Sequence, residues 1–255
     1  MPTPPPAESR SDAELIRTNR GFYESLWSQA KLIGPERFNT WPLLRELAGA
    51  APRRLEVAPG LRPRLPLQDT CFVDLSHAAL RQLHASGATA VHGMIGALPC
   101  ADASFDLICA LDILEHVADD DSALAELARV AAPGASVLLS VPLHPEAWTA
   151  FDEFVGHCRR YEPAQIVARL AARGFTIERS AIYGMQPKSS RLLDLGQWCL
   201  IHRREHAMWW YNRVFMPLGL YFQKPLQWRD GLGDTSGVDE LLLRCRYQPA
   251  PAPSH

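Results

Sequence analysis

The chain of 255 residues alternates short apolar runs with segments of helical periodicity. The apolar runs predict strands at 53–58, 70–75, 88–93, 105–111, 136–142, 175–183 and 238–247. Elsewhere apolar residues recur at helical spacing, which predicts helices at 36–49, at 76–85, from one of the acids at 119–121 to 130, and at 162–173. Strands that alternate with helices in this way indicate a doubly wound, mostly parallel α/β sheet.

The same pattern divides the chain into a central core with additions at both ends and one insertion. The predicted segments are a disordered N-terminus at 1–11, an N-terminal helical lid at 12–49, the core at 50–183, an aromatic-rich insertion at 184–235, the last strand of the core at 236–247 and a disordered tail at 248–255. The insertion interrupts the alternation. We expect it to serve as a cap over an apolar substrate, as a homodimer surface or, through 209–222, as a peripheral membrane contact, in that order.

The composition limits which binding partners and which cellular compartment we expect for this protein. The net charge of −2 lacks the basic excess that is typical of nucleic-acid binding, so no nucleic-acid partner is expected. The six cysteines are scattered without a C-x-x-C pair, which argues against a disulfide framework or a zinc knuckle. Because the sequence shows neither a secretory signal nor an apolar stretch long enough to span a bilayer, we expect a cytoplasmic protein.

The run 93–142 carries the most specific signal in the chain. It contains in order Leu98-Pro99, Phe105-Asp106, Leu114-Glu115-His116, Arg129-Val130 and Pro133-Gly134. This run closely resembles the second half of the cofactor domain of class I S-adenosylmethionine-dependent methyltransferases with a methyltransferase type 11-like domain. The resemblance implies a Rossmann-like sheet of seven strands, mostly parallel with an antiparallel last strand, and S-adenosyl-L-methionine as the cofactor.

Residues at strand ends are the predicted cofactor site, because ligands of open α/β sheets bind at the carboxyl ends of the strands. The resemblance implies that Asp74 accepts the ribose hydroxyls and that Glu56 belongs to the glycine-rich motif that receives the methionine part. That motif keeps only the middle one of the family's three glycines, Gly60, and Ala58 is expected to be tolerated with a negative φ. The helix that normally follows is expected to be one turn or absent, since so few residues separate the two strands.

Four apolar residues complete the predicted cofactor site, namely Leu75, Met94, Ile95 and Leu111. Met94 stands where many relatives place an aspartate against the adenine amino group. A methionine can only pack on the ring, with Ile95 as its partner. The alternative is that both are loop residues tucked into the core.

Asp112 and His116 follow the fourth strand and are the candidate catalytic residues. The resemblance implies that His116 packs beside the cofactor and orients the loop, with general-base catalysis as an alternative. With Glu115, these two residues also resemble the acid-x-x-Glu-His metal element of some small-RNA and ubiquinone-pathway methyltransferases. Such a site needs a further ligand, for which His157 is the candidate; our expectation is that no metal is bound.

The segment Gly156-His-Cys-Arg-Arg-Tyr161 resembles an element that borders the acceptor pocket in related enzymes. His157, Arg160 and Tyr161 are therefore the candidate substrate-binding residues, and the arginines suit a carboxylate or phosphate. An arginine-rich turn whose tyrosine covers the core explains the segment equally well.

The combined interpretation is methyl transfer from S-adenosylmethionine to a small or amphipathic acceptor through an O, N or C nucleophile. The eroded glycine motif and the missing adenine aspartate motivate an alternative. In this alternative the chain is a non-catalytic protein that binds S-adenosylmethionine or S-adenosylhomocysteine on the same fold.

Overall fold

The computed structural model describes residues 23, 24, 26, 27, 30–184, 210, 213, 214 and 216–249. The predicted disordered N-terminus at 1–11, nearly all of the tail and half of the insertion lie outside the described residues. So does most of the predicted lid between residues 12 and 29, although Tyr23, Glu24, Leu26 and Trp27 are themselves helical.

One sheet of eight strands organises the described residues, in the order β3-β2-β1-β4-β5-β8-β6-β7. The strands are β1 (Arg54–Val57), β2 (Thr70–Asp74), β3 (Thr89–His92), β4 (Phe105–Ala110), β5 (Ala131–Pro142), β6 (Phe175–Ile182), β7 (Arg229–Asp230) and β8 (Glu240–Tyr247). Strands β1 to β5 pair in parallel, and β8 runs antiparallel between β5 and β6. The predicted fold class is confirmed. The count is eight rather than seven because the two-residue β7, contributed by the insertion, adds to the edge of β6.

Six α-helices accompany the sheet in the described part of the chain. They are α1 (Trp41–Ala50), α2 (His77–Ala85), α3 (Asp120–Val130), α4 (Ala150–Val155), α5 (Pro163–Ala172) and α6 (Met216–Tyr221). Side chains fix the first turns of α2 and α3, because Ser76 accepts the Ala79 amide and Asp119 accepts the Ser122 amide. Both helices begin at the polar residues that precede the apolar periodicity, as the sequence pattern predicts.

The helices cover both faces of the sheet. On one face α3 and α5 pack against alternate residues of the central strands, with Leu124, Leu127 and Ile166 fully buried. On the other face α1 lies over β4 and β5 through Leu44, and α2 lies over β2 through Leu83. Strands buried on both faces explain why 105–111 and 136–142 are continuously apolar rather than alternating.

The start of β5 differs from the prediction. The Pro133-Gly134 pair was expected to separate α3 from a strand beginning at 136, but β5 starts at Ala131, directly after the helix. The pair is accommodated inside the strand because Gly134 adopts φ +82° and the register with β4 shifts between Phe105 and Leu107. The Pro133-Gly134 pair therefore marks an irregularity inside the strand rather than a loop before it.

The insertion touches the fold on the α1 side. Gln223 accepts the Asn39 amide at 2.9 Å, and Leu226 and Trp228 pack on the apolar cluster beneath α1. Among the described residues, no helix is both long enough and apolar enough to cross a membrane.

Candidate functional site

The connection between β1 and β2 has no helix anywhere in residues 58–69, as expected. The Glu56 side chain holds this loop from inside the protein. Its carboxylate accepts the Arg64 amide at 2.8 and 3.0 Å and the Leu65 amide at 2.8 Å. Burial raises the pKa of Glu56 to about 7. Glu56 is therefore an internal anchor of the loop.

Asp74 holds the other end of the same loop. Its Oδ2 accepts the Gly60 amide at 2.8 Å and its Oδ1 accepts the Ser76 amide at 2.7 Å. Burial raises the pKa of Asp74 to about 6. Each carboxylate oxygen has two lone pairs, so acceptor capacity remains beside these bonds for a further donor. Asp74 thus positions the loop and presents an acceptor at the strand ends.

The backbone at the end of β1 is left-handed. Ala58 has φ +55° and Gly60 has φ +54°. The expectation of a negative φ at Ala58 is wrong: the chain turns at this residue, directly after its amide donates to the Val73 carbonyl at 2.7 Å, and it adopts a conformation that glycine adopts more readily. For an alanine this conformation costs about 1–2 kcal/mol.

The N-terminal helical residues lie across the carboxyl ends of β1 and β2. The Trp27 ring packs so closely on Gly60 that a Cβ at that position would lie 2.2 Å from it. Arg62 places its guanidinium 5.1 Å from the Trp27 ring centroid. Glu24 accepts the Ser76 hydroxyl at 2.7 Å, next to the N-terminus of α2. These contacts anchor the segment over the predicted cofactor cleft.

The four predicted apolar cofactor residues occupy the strand ends in different environments. Ile95 and Leu111 are buried, Leu75 is half-buried, and Met94 is 40% exposed beyond β3. Met94 therefore presents an apolar surface to solvent at the edge where the adenine is expected. Ile95 belongs to the main core.

Asp112 sits at the end of β4 with its side chain exposed and with φ +55°. The Ser140 hydroxyl donates to its Oδ1 at 2.5 Å, and its own amide donates to the Ser140 oxygen at 2.7 Å. Burial, followed by the charge of Asp112, raises the pKa of Glu240 well above its usual range. The mouth beyond β4 is therefore rich in carboxyl groups.

The 3₁₀ turn Leu114–His116 brings a second group of side chains to this mouth. The Tyr23 hydroxyl lies 2.9 Å from Nε2 of His116, and the His157 ring meets the His116 ring edge-on at 4.6 Å. Nε2 of His157 lies 3.9 Å from a carboxylate oxygen of Glu115. Burial, and then the neighbouring His157, lower the pKa of His116 to about 3. The structure thus brings His116 and His157 together, a pairing that the sequence analysis considered only as the metal alternative.

Asp152 fixes the substrate-side segment, and the sequence analysis missed it. Its carboxylate accepts Nδ1 of His157 at 2.8 Å and two guanidinium nitrogens of Arg160 at 3.0 and 3.1 Å. Although burial raises the pKa of Asp152, these hydrogen bonds hold it below its usual range. The available signal was the capping box from Thr149 to Asp152 at the start of α4.

Arg160 and Tyr161 are engaged inside the protein. Arg160 also donates to Asp239 at 2.6 Å, and Tyr161 is 1% exposed and donates to Asp120 at 2.9 Å. This placement agrees with the alternative interpretation of the segment, in which it is an arginine-rich turn whose tyrosine covers the core. Of the three candidate substrate-binding residues, only His157 lies beside the mouth residues.

Arg64 and Tyr183 form a further contact near the carboxyl ends that no sequence pattern indicated. Arg64 donates to the Tyr183 hydroxyl at 3.1 Å, and its guanidinium lies 3.6 Å from the Phe38 ring centroid. The two partners are 119 residues apart, so only the fold brings them together.

Sequence comparison matches the central part of the chain to a known protein family. A family model described as a methyltransferase domain matches residues 57–139. A probable S-adenosylmethionine-dependent methyltransferase of Mycolicibacterium smegmatis is 32% identical over 91 residues, which are 34% of this chain and 35% of that protein. The chain thus matches about a third of the length of this curated relative.

Solved structures share the whole fold at low identity. A SAM-dependent methyltransferase of Thermotoga maritima, described as a "possible histamine N-methyltransferase", superposes with a TM-score of 0.55 at 14% identity over 92% of this chain and 93% of that one. Phosphoethanolamine N-methyltransferase 2 of Haemonchus contortus, in complex with phosphomonomethylethanolamine and S-adenosylhomocysteine, gives 0.57 at 17% identity, covering 95% of this chain and 61% of that one. Residues 57–139 thus match a methyltransferase domain, and the sheet order and these neighbours show that the chain has the fold of S-adenosylmethionine-dependent methyltransferases.

Proposed function

We propose that this protein transfers the methyl group of S-adenosylmethionine to a small acceptor that enters at the mouth beyond β4. The observation that carries the proposal is the convergence of three features at the carboxyl ends of adjacent strands. These are the Asp74 carboxylate, the side-chain-free face of Gly60 and the exposed Asp112.

Asp74 would hold the ribose and the Gly60 backbone would border the methionine part, with Met94 and Ile95 beside the adenine. When bound there, the cofactor supplies an electrophilic methyl group, whose displacement depends mainly on alignment and exclusion of water. The Tyr23–Trp27 helix would exclude water, because it lies across the same strand ends. Since Trp27 packs directly on Gly60, its ring has to shift for the methionine part to enter.

A small amine is the acceptor class that the site favours over an acidic one. Asp112 and Glu240 place carboxyl groups at the mouth, while Arg64 and Arg160 are buried in contacts with other side chains. Asp112 would accept a hydrogen bond from the acceptor and take the proton that its nucleophilic atom releases. The printed names of the Thermotoga and Haemonchus neighbours describe methylation of amine nitrogen, which supports the same class.

A methyl-transfer assay with a panel of small amines, phenols and carboxylic acids tests this function. We expect S-adenosylhomocysteine to accumulate with at least one amine, and Asp112→Asn to raise KM for that amine about tenfold or more because a charged hydrogen bond is lost. Asp106→Asn is the matched control, since Asp106 lies at the opposite end of β4 and pairs with Arg53. Cofactor binding without turnover on any acceptor would instead support the non-catalytic binding protein.

The pH dependence of cofactor affinity tests the role of Asp74. The carboxylate is deprotonated above its pKa of about 6 and can accept both ribose hydroxyls only in that form. Affinity for S-adenosylhomocysteine should therefore be constant at higher pH and fall about tenfold at pH 5, where protonation competes with binding. Calorimetric titration measures this, and Asp74→Asn should bind weakly with no such pH dependence. An unchanged affinity in Asp74→Asn would exclude the ribose role.

Two glycine substitutions test the contact between the lid and the loop. Gly60→Ala adds a methyl group that collides with Trp27, whereas Gly87→Ala adds one at a similarly positive φ with nothing within 4 Å. Both substitutions carry the backbone cost of about 1–2 kcal/mol in the free energy of unfolding. Only Gly60→Ala should also weaken cofactor binding and increase proteolysis near Trp27. Equal behaviour of the two variants would show that the segment does not close on the loop.

A further inference from the structure

A compact cluster of metal-binding side chains lies beside the proposed reaction mouth. One ring nitrogen each from His116 and His157 and a carboxylate oxygen of Glu115 all lie within 4.8 Å of one another. Ligands of a single tetrahedral zinc ion lie about 3.3 Å apart, so side-chain movements of about an ångström close the cluster around an ion. All three residues have little exposure to solvent.

The backbone holds the cluster together although its members are far apart in sequence. The Cys158 amide donates to the Glu115 carbonyl at 2.6 Å, which joins the segment after α4 to the 3₁₀ turn after β4. His157 is therefore placed next to Glu115 by the fold and not by a chance side-chain rotamer.

The surrounding hydrogen bonds orient both imidazoles. Asp152 accepts Nδ1 of His157, which directs the opposite nitrogen, Nε2, towards Glu115. A carboxylate behind a histidine is the usual arrangement around metal-ligating histidines, because it fixes the tautomer and raises the basicity of the ligand. Tyr23 meets Nε2 of His116 in a similar way at 2.9 Å.

Glu115 supplies the second, independent observation. It is 3% exposed, and its Oε2 is buried without a hydrogen-bond partner among the described residues. A buried carboxyl oxygen that lacks a partner is costly, and a bound cation is one way to satisfy it. The buried guanidinium of Arg160 is already bound to Asp152 and Asp239.

We propose that Glu115, His116 and His157 bind one divalent first-row transition ion, such as Zn²⁺. Two imidazole nitrogens and one carboxylate oxygen suit such an ion better than Mg²⁺ or Ca²⁺, which prefer oxygen ligands. Three protein ligands leave at least one coordination position open. An oxygen or nitrogen of the acceptor could occupy that position, a role that rests on the proposed function. Asp112 is outside the ligand set, since it is held by Ser140.

Titration of the chelator-treated full chain with Zn²⁺, followed by calorimetry and metal analysis, tests the site without cofactor or acceptor. We expect one Zn²⁺ ion to bind per chain, and excess Mg²⁺ should not displace it. The variants Glu115→Gln and His157→Asn should each bind Zn²⁺ more than about tenfold more weakly. Asparagine at 157 retains a donor towards Asp152, so this variant preserves the fold while removing Nε2. Circular dichroism verifies that both variants are folded.

His92→Asn is the matched control, because His77 and His92 form an exposed stacked pair elsewhere on the surface. This variant should bind Zn²⁺ as the unchanged protein does. Absence of tight binding would overturn the proposal, and so would binding that survives in Glu115→Gln and His157→Asn. Because the readout is ion binding alone, failure of methyl transfer does not affect it.

Discussion

Two buried carboxylates at the ends of β1 and β2 carry the architecture of the site. Glu56 accepts two amides of the connecting loop and Asp74 accepts a third, so the loop keeps a defined shape without the helix that usually supports it. The first compensation for each buried charge comes from backbone donors. The raised pKa values of both groups indicate that the compensation is incomplete. Trp27, which lies over the cleft, packs on this loop.

A second network fixes the opposite wall of the mouth. Asp152 joins His157 to Arg160, and Arg160 reaches Asp239 just before β8. The residue before β8 therefore helps to position Arg160, which lies in the segment after β5. In this way an antiparallel strand contributes to a site that is built on parallel strands. The carboxyl-rich mouth between these two networks is suited to a cation, either a metal ion at Glu115 or an amine beside Asp112.

Features fixed by local chemistry could be predicted from the sequence. The apolar runs predicted the strands, the acids at 119–121 predicted the start of α3, and the resemblance carried by 93–142 implied the sheet architecture. The strand-end position of Asp74 also followed, since a hydrophilic residue that ends a buried run in a parallel sheet reaches the ligand edge.

Features that depend on tertiary contact could not be predicted. The positive φ of Ala58 arises where the chain turns out of β1, and the burial of Arg160 and Tyr161 follows from partners remote in sequence. Similarly, β7 forms only because the insertion returns to the edge of β6. Helical and strand periodicities carry no information about such contacts.

A crystal structure with bound S-adenosylhomocysteine tests the central claim most directly, namely that the loop held by Glu56 and Asp74 forms the cofactor site. We predict ribose hydroxyls on Asp74, the amino-acid part against Gly60 with the Trp27 ring displaced from its present contact, and the sulfur directed towards Asp112. A ligand bound elsewhere, or a ribose that makes no contact with Asp74, would contradict it.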